Sequence, residues 1–402
     1  MKILVINCGS STLKFKLLAL QTGGASVKEK RLAGGIVDKI GGRASIKFRA
    51  KQELQETRAV SDHGQASRLV LDWLAFSKLL EDRLDAVGHR VIHGGDQFSQ
   101  PVLIDEEVIN AIAGSSELAP LHNQPSLRAI RAMRERLGAE IPMVAVFDTA
   151  FHHTLPEIAR RYAIPPELAD KHHVRRYGFH GLAHRYMMER YATITNTPRE
   201  QVKLITLQLG NGCSATAIAG GRSVDTSMGL TPLEGLIMGS RSGDVDPTLA
   251  SFLAQREGVD VETAEDWLNT KSGLLGVSGR SRDMRELLDA EDKGDKMARL
   301  AIDMFCYRLK KYIGAYLATL DGADAVIFGG GIGENAPEVR QRILAGMDWL
   351  GLKLDNARNN ATVGSEGRIS ADDTRVHAYV IPVDEALIIA RDTFSLLKKT
   401  AP

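Results

Sequence analysis

The sequence predicts an α/β protein built of two related domains, and three observations predict it. The chain has 402 residues, more than one ordinary domain holds and suited to two. A short apolar strand running into a glycine/serine turn opens the chain, and the same arrangement recurs about two hundred residues later. Between and after these segments, strand-length apolar runs alternate with helical periodicity, and no low-complexity linker or charge block separates the halves. The domains are therefore expected to pack directly, with a cleft between them.

Ile3 to Ile6 is a continuous apolar run, as in a strand buried on both faces. Asn7-Cys8-Gly9-Ser10-Ser11-Thr12 is a small, polar turn. Leu13, Phe15 and Leu17 then alternate with Lys14 and Lys16, which is strand period, so the chain opens as a β-hairpin. Leu204 to Leu207 leads through Gly210-Asn211-Gly212-Cys213-Ser214 into Ala215 to Ile218, and Gly212-Cys213-Ser214 aligns with Gly9-Ser10-Ser11. Pro142 to Phe147 reads as a strand ending at Asp148. Met297, Leu300, Ala301, Met304, Ile313, Leu317 and Leu320 recur at helical spacing and mark a long amphipathic helix. Ala325 to Phe328 is a strand entering Gly329-Gly330-Gly331-Ile332-Gly333. Val376 to Ile381 is another strand. Asp384 to Lys398 is a final helix, acidic at its start and basic at its end, matching the macrodipole.

Hydrophobic residues make up 44% and charged residues 25%, the balance of a globular protein, and aromatics only 5%, so the cores should be aliphatic. Net charge is +1. No bulk field attracts nucleic acid or an anionic membrane, so an anion site must be built locally. The three cysteines, Cys8, Cys213 and Cys306, form no CxxC pair, which fits a reducing compartment. The apolar run before Asn7 is too short for a signal peptide, and no stretch has the length of a membrane span. A cytoplasmic enzyme is the expectation, with neither nucleic acid nor membrane as partner.

Backbone N–H groups in the two glycine/serine tips make concave anion sites, to which Lys14 adds charge; ordinary hairpin turns are the alternative. In Gly88-His89-Arg90-Val91-Ile92-His93-Gly94-Gly95, Arg90 is placed to bind a carboxylate or phosphate bidentately, or to form a structural salt bridge. Asp148 ends a strand, where α/β folds project ligand groups, or caps the next segment. In Tyr177-Gly178-Phe179-His180-Gly181, His180 and His184 share a helix face, but the HExxH pattern is missing. A single His180 aimed at a reacting phosphoryl group is the better functional reading, and a satisfied core histidine is the alternative. Gly210 to Pro247 is dense in small residues that let backbone approach a ligand. Within it, Arg241 is a second arginine to set opposite Arg90 around a phosphoryl group in transit. Gly331 to Ala336 fits a loose GxGxxA, compatible with a dinucleotide or with adenosine alone. No GxxxxGK[ST] occurs in the sequence.

Taken in order, NCGSSTLKF, GHRVIHGG, LAPLHNQP, VFDTAFH, RRYGFHG, LGNGCS, TPLEGLIMGSRSGDVDP, KSGLLGVSGRSRDMR, FGGGIGEN and IPVDEALIIARDT resemble the acetate kinases over the full length. These belong to the superfamily of acetate and sugar kinases, Hsp70 and actin. The resemblance implies two duplicated actin-like, ribonuclease H-like domains with the active site in the cleft between them. Residues 1–150 with 383–402 would form the N-terminal domain, and 151–382 the nucleotide-binding domain. It implies reversible, direct in-line transfer between ATP and acetate, giving acetyl phosphate and ADP, with Mg²⁺ or Mn²⁺, in a homodimer.

Residue by residue, the resemblance makes Asn7 and Glu385 the metal positions, so the final helix must return to the first domain. Ser10, Ser11, Thr12 and Lys14 would face phosphate. Arg90 and Arg241 would grip the carboxylate and the transferring phosphoryl group, Asp148 would orient the acyl substrate, and His180 would stabilise the transition state with His122 in support. Ile92, Leu121, Phe179 and Pro232 would line the methyl pocket. Gln208, Asn211 and Gly212 would meet nucleotide phosphates; Asp283, Met284, Arg285, Gly330, Gly331, Ile332 and Asn335 would hold the rest of the nucleotide. Two departures stand out: Gln208 replaces a usual histidine, and Leu182-Ala183 replaces a Thr-Ser pair. Rival readings are a propionate kinase, a non-catalytic nucleotide-binding regulator on the same fold and, more distantly, a dehydrogenase. Bulky Ile92 favours acetate.

Overall fold

The computed structural model describes residues 1–23, 26–81, 83–114 and 120–400, and the side chains of Ser26, Pro120, Leu121, His122 and Thr400 lie outside the description. The chain divides into two compact units, residues 1–150 with 384–402, and residues 151–383.

In the first unit the opening apolar run is the centre of β1 (Lys2–Cys8), which pairs antiparallel with β2 (Thr12–Gly23). The meander continues through β3 (Ser26–Asp38), β4 (Gly42–Arg49) and β5 (Glu53–Val60). On the other side of β1 lies β6 (Ala86–Val91), parallel to it. A two-residue edge strand, β7 (Val102–Leu103), pairs antiparallel with β8 (Met143–Phe147), and β8 runs parallel to β6. The order is β5-β4-β3-β2-β1-β6-β8-β7.

Alternation divides β1 between two layers. Leu4, Ile6 and Cys8 pack in a core with Ala66, Val70, Ile130 and Met133 from the helices His63–Phe76 and Pro120–Leu137. Asn7 faces the other way, to the helix Glu385–Thr400. That helix approaches β6 so closely that a Cβ on Gly88 would lie 2.6 Å from Thr393 Oγ1, so only glycine fits there. A strand covered on both faces needs an unbroken apolar run, which is what Ile3 to Ile6 and Met143 to Phe147 supply.

His89, next along β6, is buried, and burial drives its pKa from 6.5 down to about 3, with Arg134 adding to the shift. Neutral when folded and free to protonate when unfolded, it binds more protons in the unfolded state below its ordinary pKa. Its stabilisation is therefore complete above about pH 6.5 and falls by about 1.4 kcal/mol per pH unit below that. Urea denaturation between about pH 6.5 and pH 4 should show this slope reduced in His89→Gln; an identical slope in the two proteins would refute the assignment.

The second unit repeats the plan. Its strands are β9 (Lys203–Leu209), β10 (Cys213–Ala219), β11 (Arg222–Thr226), β12 (Ala325–Gly329), β13 (Gly367–Arg368) and β14 (His377–Val380), in the order β11-β10-β9-β12-β14-β13. β9, β10 and β11 form an antiparallel meander, while β12 and β14 add in parallel beside β9. The five-strand series β3-β2-β1-β6-β8 and β11-β10-β9-β12-β14 thus have the same order and the same strand senses. The architecture is a duplicated α/β fold.

The long helix is Lys296–Thr319, capped by Asp295, whose carboxylate accepts from Met297 N and Ala298 N at 2.9 and 3.0 Å. Of the seven residues whose spacing marked it, Ala301, Ile313, Leu317 and Leu320 are buried, while Met297, Leu300 and Met304 are not. Ala298, Ala301, Ile302, Phe305, Leu309, Ile313 and Tyr316 are buried, whereas Met297, Leu300, Met304 and Tyr307 are 47%, 45%, 39% and 67% exposed. The helix carries apolar residues on two faces at the same spacing, and periodicity alone does not tell which one the sheet covers.

Cys8, Cys213 and Cys306 are free and buried, and burial raises each thiol pKa to about 12. Among the described residues no helix is long and apolar enough to cross a membrane.

Candidate active site

In the first unit, the C-terminal ends of β1, β6 and β8 lie side by side, so Asn7, Arg90 and Asp148 project from adjacent strands. Arg90 Nη2 donates to Asp148 Oδ2 at 2.7 Å and Nη1 to Asn7 Oδ1 at 3.1 Å. Asn7 Nδ2 donates in turn to Glu385 Oε2 at 2.7 Å, which lies 3.7 Å from Arg90 Nη1. Burial opposes the charge on Arg90, but Asp148 and Glu385 outweigh it and raise its pKa. The final helix therefore brings Glu385 to the end of β1.

Lys14 pairs with Asn7 across the hairpin, which sets both side chains on one face, and Lys14 is exposed there. At the tip, Gly9 N donates to Thr12 O at 2.8 Å, while Ser10 and Ser11 are exposed. Ile92 is buried just past β6. The side chains of His122 and Leu121 lie outside the described residues.

The donor set suits magnesium. Asn7 meets the Glu385 carboxylate through its amide nitrogen, while its amide oxygen accepts from Arg90. Mg²⁺ keeps several waters and takes one or two carboxylates plus substrate phosphates, so the Glu385 carboxylate beside this amide fits it. Among the described residues no group of three His, Cys, Asp or Glu forms an all-protein metal cage.

In the second unit His180 does not lie on the helix face with His184, contrary to the periodicity. It is the N-cap of the helix Gly181–Thr195, in the left-handed conformation at φ 56° and ψ 26°. That backbone turns its ring toward β10, where Nδ1 lies 2.9 Å from Ser214 Oγ. His184, one turn in, is buried, with Nδ1 2.7 Å from Thr206 Oγ1 and Nε2 2.7 Å from Ser214 Oγ. Both its nitrogens are thus engaged by hydroxyls, which leaves it no role as a metal ligand. His152 fixes the preceding residue: Nε2 lies 2.9 Å from Phe179 O and Nδ1 2.9 Å from Ser223 Oγ.

The other side of His180 faces the hairpin tip. A Cβ added to Gly212 would lie 3.4 Å from His180 Nε2 and 3.6 Å from Arg241 Nη1, so a ring nitrogen and a guanidinium converge on one small residue. Arg241 donates from Nη1 to Pro232 O at 3.2 Å and approaches Met238 Sδ at 3.8 Å, both neutral partners. Burial lowers its pKa.

The small-residue segment holding Arg241 is tied down by charges that sequence reasoning missed. Arg176 pairs with Glu234 at 2.5 Å and donates to the carbonyls of Thr226, Ser227 and Met228. Asp244 accepts from Gly235 N and from Tyr312 Oη, both at 2.8 Å. Glu234 and Asp244 are two of the four acids, with Asp225 and Asp246, inside an otherwise small and apolar run, and that contrast is the signal that marks them.

Gln208 shares the sheet face of Ser214, its partner across β9 and β10, and its Oε1 is buried without a hydrogen-bond donor. Asn211 is exposed at the tip, and its carbonyl accepts from Gly239 N at 2.9 Å. β12 runs into the short helix Gly330–Asn335. Gly330 has φ 75°, and its N donates to Glu334 Oε1 at 2.9 Å. Glu334 Oε1 also accepts from Val383 N at 3.0 Å, another contact invisible in sequence. Gly331 and Asn335 are exposed and Ile332 half-buried. Asp283 caps the helix Met284–Asp292 and pairs with Arg285 at 2.6 Å, while the Met284 side chain is buried.

The duplicated α/β fold, with a glycine-tipped hairpin formed by the first two strands of each sheet and an arginine near each, defines a phosphotransferase. It is one that acts on a carboxyl group. The chain belongs to the acetokinase family, whose model matches residues 2–391. It is 50% identical to the acetate kinase of Solibacter usitatus over 98% of this chain and 97% of that protein. Among solved structures it is similar to Porphyromonas gingivalis acetate kinase, with 41% identity, TM-score 0.90 and coverage of 98% and 99%. It is also similar to a propionate kinase from Francisella tularensis, with 39% identity, TM-score 0.89 and coverage of 97% and 98%.

Proposed function

We propose that the chain transfers a phosphoryl group reversibly and in line between ATP and acetate, giving ADP and acetyl phosphate. The observation that carries this reading is the convergence of His180 Nε2 and Arg241 Nη1 beside Gly212. Phosphoryl transfer asks little covalent chemistry of a protein; it asks for positioned donors around the oxygens that gather charge. Arg241 and His180 serve that charge, and Arg90 with Asp148 serves the carboxylate end. Asn7 and Glu385 would hold Mg²⁺, which when bound neutralises charge on the nucleotide phosphates. The exposed Ser10, Ser11, Lys14 and Asn211 supply hydrogen-bond donors for phosphate oxygens, and the exposed Gly331 and Asn335 mark the adenosine side.

The similarity to a propionate kinase supports a second reading. Ile92 limits the acyl pocket, and discriminating one methylene is worth about 1–3 kcal/mol, so propionate is a poorer substrate rather than an excluded one. An acyl hydroxamate assay with ATP and Mg²⁺ tests both readings. The expected order is acetate over propionate over butyrate. Propionate above acetate would favour the second reading, and no product from any acid would overturn the catalytic one.

The homodimer belongs to the same reading. The exposed stripe of Met297, Leu300, Met304 and Tyr307 on one helix supports it, and sedimentation velocity measures it; a monomer at micromolar concentration would refute it.

A further inference from the structure

We infer that His184 is a positioning residue for this reaction, acting through Ser214 to set both the ring orientation and the tautomer of His180. The inference rests on the proposed role of His180 at the phosphoryl group. Four side chains form one line of hydrogen bonds: Thr206 Oγ1 to His184 Nδ1 at 2.7 Å, His184 Nε2 to Ser214 Oγ at 2.7 Å, and Ser214 Oγ to His180 Nδ1 at 2.9 Å. Thr206, His184 and Ser214 are fully buried, so their hydrogens have few alternative places to go. β9, the helix Gly181–Thr195 and β10 each contribute a member.

The order of the hydrogens follows from counting them. Burial, together with the nearby His152 and His180, holds the His184 pKa well below its ordinary value, so the ring is neutral, with one N–H and one acceptor. Ser214 has one hydroxyl hydrogen and two ring nitrogens against it. It donates to one and accepts from the other, so the whole line runs in a single direction. Thr206 sets that direction. The alternative acceptor for its hydroxyl, Thr216 O, is 3.5 Å away against 2.7 Å to His184 Nδ1. Thr206 therefore donates to His184, His184 to Ser214, and Ser214 to His180 Nδ1.

A neutral His180 then carries its hydrogen on Nε2, the atom beside Gly212 and Arg241. The reverse order would leave Nε2 a lone pair unless the ring took a second proton next to a guanidinium. The line thus presents an uncharged donor where phosphoryl charge gathers. It also holds a non-glycine residue in a left-handed backbone that persists only when its surroundings fix it.

Nitrogen-15 NMR of histidine-labelled whole protein reads the tautomer, and steady-state kinetics read the consequence. The native His180 is expected in the Nε2–H form. In Ser214→Ala and His184→Leu that form should give way to a mixture, with kcat about 10–100-fold lower, as for other partners behind a functional histidine, and with KM little changed. His184→Gln, whose amide can accept from Thr206 and donate to Ser214, should restore most of the rate. In a His180→Ala background neither change should cost anything more. Should His184→Leu fail to fold, Ser214→Ala carries the test. A native His180 in the Nδ1–H form, a tautomer unmoved by Ser214→Ala, or an undiminished cost in the His180→Ala background would overturn the inference. Native turnover by His180→Ala itself would remove the phosphoryl role of His180 and the catalytic half of the inference, while the NMR still decides the hydrogen order.

Discussion

Arg241→Ala is expected to lose about 10³–10⁵-fold in kcat, the range for an arginine that stabilises a phosphoryl transition state, with its unfolding temperature almost unchanged. The two halves of that statement have one cause. In the second unit Arg241 binds a carbonyl and a thioether. Removing its side chain strands no buried anion, and burial already disfavours its charge. A cation held partly desolvated against neutral partners gives little to the fold and much to an arriving anion. Arg241→Lys should recover little, because an ammonium cannot reproduce the planar fork. Hydroxamate formation and a thermal melt on the same sample check both halves. Activity within tenfold of native, or a melt lowered by ten degrees or more, would refute the assignment.

Arg90→Ala should behave in the opposite way and damage fold and activity together. Asp148 is 1% exposed, and Arg90 donates to it at 2.7 Å. Truncating Arg90 leaves a buried carboxylate without its cation, a change that typically costs about 3–5 kcal/mol. Asn7 and Glu385 lose the same guanidinium, so the pair proposed to hold the metal loosens too. Adding Asp148→Asn to Arg90→Ala removes the stranded charge and should recover much of the stability but none of the activity. Urea midpoints of the two single variants and the double variant form the cycle. A fully stable Arg90→Ala, or a double variant no more stable than Arg90→Ala, would show that the pair is not the anchor inferred here.

The strand centres were legible because burial on both faces forces an unbroken apolar run, as at Ile3 to Ile6, Leu204 to Leu207 and Ala325 to Phe328. The glycine tips were legible because they repeat. The meander of β3, β4 and β5 carries no such run: β5 is ELQETRAV, mostly exposed, and reads as polar. His180 was singled out as a residue but placed wrongly in backbone, since a left-handed N-cap at a histidine has no local signature. His184 was readable in part. It stands in register with the buried Met187, Met188 and Tyr191 on its helix, so periodicity puts it on the packed face. Its bonds to Thr206 and Ser214 cross 22 and 30 residues of chain, and no spacing rule reports such pairs. The same holds for Arg176 with Glu234. Local physics fixes elements, whereas polar contacts between elements appear only once the sheet is assembled.

The burial of the three thiols also makes the chain its own reporter of breathing motions. Cys8 sits in one unit, Cys213 and Cys306 in the other, and with pKa values near 12 none offers thiolate to an alkylating reagent while the structure is closed. Modification at each position is therefore gated by local or global opening. Peptide mass spectrometry after timed alkylation resolves the opening of each unit separately, on the unmodified protein. A cysteine introduced on the surface would react long before any of the three, so a spectroscopic label can be attached at one chosen position without first removing the native thiols.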